Sequence, residues 1–445
     1  MSTVISQEKP KGFIDNSTLI LIAFSSAFFS RMLDSAGAPS AINFLHFFAV
    51  PVACWYAISK TRTRERKQKA ISREIAYGLL LLIVAMLTSA IWNDAGIANV
   101  ILSFLLLGEP FLLLLSLISI PMSVLKLERF HTWLFRFCFA NLLVAFAQYG
   151  LFMILGLHPK SGNPDYIQGV FYHSGGGHVV SASVSMTFGV YYLISEKSRP
   201  LWFRLAVLLA AFCHMLLADA KQVLLVFLFS GILFFFTKMK NISELLKYLI
   251  GGILLGAVLL WCTQNVPAFG AFNTWARPEI YGPDGEATLL KSASLRVISS
   301  YFESPINWLV GLGPGHTVGR LGGWMIRDYS DLLNPLGATT HPAVNEVWAA
   351  VGKSWLGDQS SMFSPFWGWA GIWGDLGFLG LGAYLFLAST IWKRVCLDNF
   401  SQYLLLNVFV NGLIFTQMEE PGYMLFIAII IALRWQKHHK RQNGY

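Results

Sequence analysis

The chain has 445 residues, of which 55% are hydrophobic and only 13% are charged. Soluble domains usually carry roughly 25% charged residues. So little charge cannot cover the surface of a water-soluble protein of this size, whereas helices that face lipid need none. The composition therefore excludes a soluble enzyme, a disordered scaffold and a nucleic-acid-binding domain. The net charge of +9 comes from basic residues in short connections between apolar runs, where Lys and Arg set membrane orientation.

Apolar runs long enough to cross a bilayer recur along the chain, since a span needs about 20 mostly apolar residues. We predict an all-α polytopic membrane protein with roughly twelve spans in one integral membrane domain over residues 1–445. The predicted spans are Ser17–Leu33, Ala41–Ile58, Ala76–Trp92, Ala98–Ile120, Trp133–Leu155, Val179–Ser195, Trp202–Ala218, Val223–Thr237, Tyr248–Cys262, Phe366–Trp392, Tyr403–Gln417 and Gly422–Trp435.

Lys and Arg concentrate in alternate connections. The positive-inside rule favours the orientation that puts the connections rich in Lys and Arg in the cytoplasm. With a cytoplasmic N-terminus, the basic cluster from Lys60 to Arg73 and the basic C-terminal tail both fall on that side. We therefore predict that both termini are cytoplasmic. Residues 1–16 are polar and show no cleavable signal pattern, so we expect the first helix to remain as an anchor. The five cysteines form no metal-binding pair or disulfide framework in the sequence.

A long segment without an apolar span, residues 263–365, precedes the tenth predicted span and is predicted to lie outside the cytoplasm. Loops of this length usually fold or have a function. Apolar residues recur at helical spacing between Ala287 and Glu303, which predicts an amphipathic helix at the bilayer surface that carries Lys291 and Arg296. Gly311–Gly315 follows, a turn-forming segment that lets its backbone approach a partner closely, without indicating what that partner is.

Aromatic and hydrogen-bonding side chains mix in the second half of this segment. Such a mixture suits a sugar, because ring faces pack on C–H surfaces while polar groups bind hydroxyls. Interfacial anchoring explains each Trp equally well. The candidate substrate-binding residues are Arg320, Arg327 and Trp348, together with His173 from the shorter predicted outer loop, residues 156–178.

Three further polar sites interrupt apolar sequence. Lys221 lies in the hairpin Ala218–Gln222, where a capped turn is the simple explanation. Glu109 is followed by Pro110 inside a predicted span and marks a kink, a buried polar contact or a proton path. Glu419 and Glu420 precede Pro421, and a turn accounts for them, although a catalytic carboxylate stays open.

Four passages together resemble the O-antigen polymerase and ligase superfamily of bacterial envelope polysaccharide synthesis. The first is Gln168–Ser174, a glycine and aromatic segment after an outer loop, and the second is the hairpin with Lys221. The third runs from Arg296 through Pro305 to Gly311–Gly315. The fourth, Trp373–Gly380, places an acidic residue and glycines at a late helix. The resemblance covers about the C-terminal two thirds of the chain. The family often has Arg in place of Lys221, and His and Asn shortly before the late helix, where this chain has Ser364–Trp367.

The resemblance implies transfer of a glycan from undecaprenyl diphosphate to a sugar hydroxyl at the outer face of the bacterial cytoplasmic membrane. Lys221 and Arg296 would then stabilise the departing diphosphate by charge-assisted hydrogen bonds. His341, the nearest substitute for the family's histidine, is the first choice for the base and Glu346 the second. No metal or other cofactor is expected.

The expected partners are the lipid-linked oligosaccharide, the lipid bilayer and a chain-length regulator or flippase of the same pathway, and no nucleic acid. A repeat-unit polymerase of exopolysaccharide or O-antigen is the leading hypothesis. A ligase cannot be separated from it by the sequence. A flippase or transporter is the alternative of a different class, favoured mainly by Glu109 and Pro110.

Overall fold

The computed structural model describes residues 15–61, 65–157, 162–172, 176–238, 242–359 and 361–442. The structure is 81% helical and the described ranges contain no strand, which confirms an all-α protein. The α-helices are α1 (Asn16–Phe28), α2 (Ser30–Ser35), α3 (Leu45–Ser59), α4 (Arg66–Trp92), α5 (Ile97–Ser119), α6 (Val124–Gln148), α7 (Gly177–Ser195), α8 (Leu201–Leu217), α9 (Lys221–Thr237), α10 (Ile242–Asn265), α11 (Ala271–Trp275), α12 (Glu286–Ser300), α13 (Pro305–Val310), α14 (Ile326–Asp328), α15 (Ser330–Leu333), α16 (Pro342–Lys353), α17 (Trp355–Gln359), α18 (Trp367–Thr390), α19 (Asn399–Asn411) and α20 (Pro421–Gln442).

Six helical segments among the described residues are long and apolar enough to cross a membrane, as expected of a membrane protein. They are Ser40–Ser59, Arg66–Trp92, Ile97–Ser119, Val124–Ile154, Gly177–Ser195 and Trp367–Val395. Shorter apolar helices lie at Asn16–Phe28, Leu201–Leu217, Lys221–Thr237 and Leu249–Asn265. Each of the predicted spans overlaps a helix. Their number and their orientation stay predictions.

Helix α5 lies in the centre of the fold and packs against α3, α4 and α20, while α18 packs against α4. Apolar side chains occur on every face of α5, and most residues of the helix are buried by its neighbours. Leu113, Leu117 and Ile118 are fully buried in this core. The core thus fixes α5 and α18 relative to each other before any loop is considered.

The segment over residues 263–365 folds into short helices, α11 to α17, between the ends of α10 and α18. The helix predicted between Ala287 and Glu303 is α12, and it buries Leu290, Ser294 and Ile298 on one face. Helix α13 begins directly after Ser304, which forms a reciprocal capping box with Asn307. Helix α12 packs against α16 and α18 and so joins this segment to the helical core.

Candidate functional site

A break in α18 organises the polar centre of the molecule. Gly377 has a φ of 61°, outside the helical range, so the carbonyl groups before it lose their helical partners. The carbonyls of Gly374 and Asp375 instead accept hydrogen bonds from the backbone N–H groups of Leu312 and Gly313, at 2.8 and 3.0 Å. The glycine segment Gly311–Gly315 therefore completes the backbone hydrogen bonding of the broken helix.

Glycine is required where this segment touches α18. Gly311 has a φ of 75°, and a Cβ atom there would lie 2.5 Å from the backbone carbonyl atoms of Asp375. Any larger residue would push the two backbones apart. The close approach predicted for Gly311–Gly315 is confirmed, and its partner is the chain itself.

The Asp375 carboxylate holds the rest of the loop. It accepts hydrogen bonds from the N–H groups of Gly315 and Thr317, each at 2.8 Å, and from the Thr317 hydroxyl at 2.7 Å. The side chain is buried, so these donors replace the water that an ionised carboxylate would otherwise need. Asp375 therefore serves to fix the loop.

A second set of hydrogen bonds ties the loop to α5. His316 Nδ1 lies 2.8 Å from the Leu312 carbonyl oxygen and must donate to it, which leaves Nε2, 2.8 Å from the Thr339 hydroxyl, as the acceptor. Burial lowers the pKa of His316 and favours this neutral form. Asn99 of α5 donates to the carbonyls of Pro314 and Thr339 at 2.8 and 2.9 Å.

His341 and Glu346 lie close to this network, at the start of α16. His341 caps the helix, because its Nδ1 accepts the N–H of Ala343 at 3.2 Å. Its half-buried ring packs edge-on against Tyr301, with ring centres 5.0 Å apart. The Tyr301 hydroxyl donates to Glu346 at 2.9 Å. The structure thus brings both predicted catalytic residues against one tyrosine at the end of α12.

The hydrogen bond that caps α16 determines which ring nitrogen of His341 carries the proton. Burial lowers its pKa, so the ring is neutral near pH 7. A neutral ring whose Nδ1 accepts a hydrogen bond carries its proton on Nε2. In this form the free nitrogen of His341 donates a hydrogen bond, whereas exposed Glu346 only accepts.

Arg296 lies on another face of α12. Its side chain is exposed, and among the described residues it bonds only to its own helix, to Ser292 Oγ at 3.2 Å and to the Leu289 carbonyl at 3.0 Å. It lines a groove of about 750 Å³ whose other walls are mainly apolar. The groove lies between α12, α13, α18 and α19, and its lining includes Trp308, Trp373, Phe378 and Phe409.

Lys291 provides a second cation beside this groove. Its Nζ donates to the Leu413 carbonyl at 3.2 Å and lies 5.4 Å from the centre of the Phe366 ring. Phe366 and Leu413 both line the groove. Burial lowers the pKa of Lys291 to about 7, so its charge is partial at neutral pH.

Lys221 is the first residue of α9 and forms an ion pair with Asp219 in the hairpin that joins α8 to α9. Helix α9 packs mainly against α19, whereas α12 packs against α16 and α18. No hydrogen bond or ion pair within the described ranges joins Lys221 to Arg296.

The predicted substrate-binding residues fall into three situations. His173 lies outside the described residues. Arg320 is buried and forms an ion pair with Glu420, and its N–H donates to Glu419 at 2.7 Å. Arg327 is exposed, and its guanidinium lies 5.8 Å from the ring centre of Trp348. Of the four predicted residues, Arg327 and Trp348 are the pair that the structure brings into contact at an accessible surface.

Two other buried carboxyl groups need an explanation. Glu419 has one oxygen, Oε1, with no hydrogen-bond partner in the described part of the chain, and burial raises its pKa to about 8. Glu109 lies inside α5, with its carboxylate 2.9 Å from Nδ1 of His46 in α3. Both side chains of that pair are buried, so Glu109 is a buried polar contact between two apolar helices.

The sequence did not point to Asn99, His316 or Thr339, whose roles depend on contacts between distant parts of the chain. Asp375 could have been identified from the sequence, because an ionisable residue within an apolar run is rare and usually has a role. Among the described residues, no group of three or more His, Cys, Asp or Glu side chains is arranged to hold a metal ion.

No protein-family model matches the sequence, and no curated protein matches it. The resemblance to the O-antigen polymerase and ligase superfamily therefore stays a prediction from the four passages quoted above.

Proposed function

We propose that the protein is a polymerase of exopolysaccharide or O-antigen repeat units, an enzyme of the bacterial cytoplasmic membrane with both termini inside the cell. It would transfer a glycan from undecaprenyl diphosphate to an acceptor sugar hydroxyl at the outer face. The observation that supports this best is that α12 carries a cation beside an apolar groove and, at its end, a tyrosine that contacts two polar side chains. Arg296 faces a largely apolar groove, and Tyr301, at the end of the same helix, contacts His341 and Glu346.

A lipid-linked glycan has three parts that match these surroundings. Its polyprenyl chain needs an apolar surface, its diphosphate needs a cation and its sugar needs hydrogen-bonding groups. The groove provides the apolar surface, with Arg296 and Lys291 beside it. The start of α16 provides Glu346 and His341, and Trp348 and Arg327 lie nearby as polar and aromatic groups.

The proposed reaction breaks the bond between the anomeric carbon and the diphosphate oxygen. The electron pair of that bond leaves with the diphosphate, and the acceptor oxygen forms the new glycosidic bond. Arg296 lowers the barrier by stabilising the charge that grows on the diphosphate. The hydroxyl proton passes to Glu346, since the capped form of His341 has its free nitrogen already protonated. His341 then donates a hydrogen bond to the reacting groups.

Lys221 would add a third cation, from a separate pair of helices. Its ion pair with Asp219 offsets its charge, so Lys221 attracts a phosphate group more weakly while that pair is closed. Mutating it independently of Arg296 therefore tests whether the two cations act on one headgroup.

The decisive experiment uses purified protein in liposomes with a lipid-linked repeat unit and no other protein. We expect longer polymer to form on the lipid carrier. If the substrate is recovered unchanged under conditions in which the protein is folded, the proposal is wrong. Deletion in the host separates polymerase from ligase. Single repeat units on the surface lipid indicate a polymerase, and long chains left on the carrier indicate a ligase.

One observation favours the transporter alternative. The contact between Glu109 and His46 places two ionisable side chains inside adjacent apolar helices, a position that is often functional in membrane proteins. Glu109→Gln distinguishes the two functions. A polymerase tolerates the change in the liposome assay, whereas a proton-coupled transporter loses transport.

A further inference from the structure

A second polar depression lies away from α12. It has a volume of about 420 Å³ and lies between the chain after α1 and the segment around α14. We call it the N-terminal cleft; its lining includes Arg31, Asp34, Ser35, Trp324, Asp328 and Tyr329. Most of its lining surface is polar, in contrast to the groove beside Arg296.

The side chains of the cleft are held in place by one another. The Tyr329 hydroxyl accepts hydrogen bonds from Arg31 at 2.9 Å and from Asn43 at 3.1 Å. Asn43 also donates to Asp34 Oδ2 at 2.7 Å. Two donors already occupy the Tyr329 oxygen, so its own proton remains to be donated. The cleft therefore presents a fixed hydroxyl donor.

Two carboxylates supply acceptors. Asp34 and Asp328 each have one oxygen engaged, by Asn43 and by Arg327, and the second oxygen has no partner among the described residues. Trp324 is half-buried, with the Arg320 guanidinium 5.7 Å from its ring centre, an arrangement that fixes the indole at the cleft wall. An aromatic wall, one hydroxyl donor and two carboxylate acceptors match the C–H face and hydroxyl groups of a pyranose.

We propose that the N-terminal cleft binds a neutral glycan, as a subsite for the acceptor sugar chain. The proposal rests on the proposed function for the identity of that chain. The charges lining the cleft explain the choice of a neutral sugar. Asp34 and Asp328 line the cleft, and the two cations beside them are already engaged, Arg31 with Tyr329 and Arg327 with Asp328. Among the described residues that line the cleft, none offers an unengaged cation to the carboxylate of an acidic sugar, and Asp34 would lie beside that carboxylate.

The test measures binding of neutral linear oligosaccharides of the common hexoses to the purified full-length protein in nanodiscs. Matched oligosaccharides that contain a uronic acid are the second probe. We expect a neutral oligosaccharide to bind more tightly than its acidic counterpart. Trp324→Ala should weaken that binding about tenfold, the loss expected for one ring contact. Trp202→Ala is the control, because Trp202 is exposed at the start of α8.

Asp34→Asn provides a second variant that does not remove a packed ring. It should weaken neutral binding and reduce the discrimination against uronic acids, whereas Asp331→Asn, on an exposed neighbouring position, should change neither. The cleft proposal is overturned if no neutral oligosaccharide binds, or if binding is unaltered in both folded variants. Failure of the proposed function is distinct from this, because it appears as absent polymerisation by the wild-type protein in liposomes.

Discussion

Two carboxylates in the C-terminal half of the chain have opposite surroundings. Asp375 is buried and accepts three hydrogen bonds at 2.7–2.8 Å from the loop it holds. Glu346 is exposed and accepts one, from Tyr301. A buried carboxylate with its oxygens occupied has nothing left to offer a substrate, whereas an exposed one does. Asp375 therefore builds the site, whereas Glu346 is able to act in it.

The largest effect should come from removing Asp375. Asp375→Ala leaves the N–H groups of Gly315 and Thr317 buried without an acceptor, at a cost of roughly 2–6 kcal/mol, since each unsatisfied buried group costs about 1–3 kcal/mol. We expect little folded protein after extraction, as measured by size-exclusion chromatography. Asp331→Ala, at an exposed position, is the control. A folded Asp375→Ala protein with normal thermal stability would show that Asp375 does not hold the loop.

The next effect concerns the proton acceptor. Glu346→Gln should lower the rate of glycan transfer about 10²-fold or more, within the usual range for general base catalysis, without altering thermal stability. His341→Asn keeps a residue that caps α16 and should cost less than about tenfold. Both rates are measured with the lipid-linked repeat unit in liposomes. If His341→Asn is the more damaging change in folded protein, the histidine is the base and the assignment to Glu346 is wrong.

The smallest effect is on stability alone. An unfolded Glu419 loses its proton near pH 4.5, while burial keeps the folded side chain protonated up to about pH 8. The folded state therefore binds more protons between these values, and stability should fall as pH rises from about 4.5 to about 8. Glu419→Gln should remove that fall and stabilise the protein at pH 8 by roughly 1–3 kcal/mol. Thermal unfolding at pH 5 and pH 8 measures it, with exposed Glu279→Gln as the control. An unchanged slope would mean that Glu419 is ionised in the fold.

Local sequence patterns predicted the helices well. Apolar runs located a helix at each predicted span, and the spacing of apolar residues located α12 to within a few residues at its ends. These features depend on hydrophobic periodicity, which is visible in a short window of sequence. Glycines at 311–315 also predicted a close backbone approach, because φ values such as the 75° at Gly311 disfavour other residues.

These local patterns could not predict which polar side chains pair with each other. Arg320 was predicted to bind substrate, yet its partner is Glu420, 100 residues later in the chain. Glu419 and Glu420 suggested a turn or a catalytic carboxylate, since nothing in the sequence around them shows that Arg320 packs beside them. Such pairs form only when the helices assemble, and the local patterns of one sequence do not show which distant residues will meet.

Arg296 offers the most direct test of the proposed function, because it lines the groove and its hydrogen bonds within the described part of the chain stay inside its own helix. The measurement is the rate of polymer formation by purified Arg296→Ala in liposomes, together with its thermal stability, with exposed Arg277→Ala as the matched control. We expect normal stability and a rate lowered about 10²-fold or more, as for loss of a group that stabilises developing charge. Polymer formation at the wild-type rate by the folded variant would contradict the account.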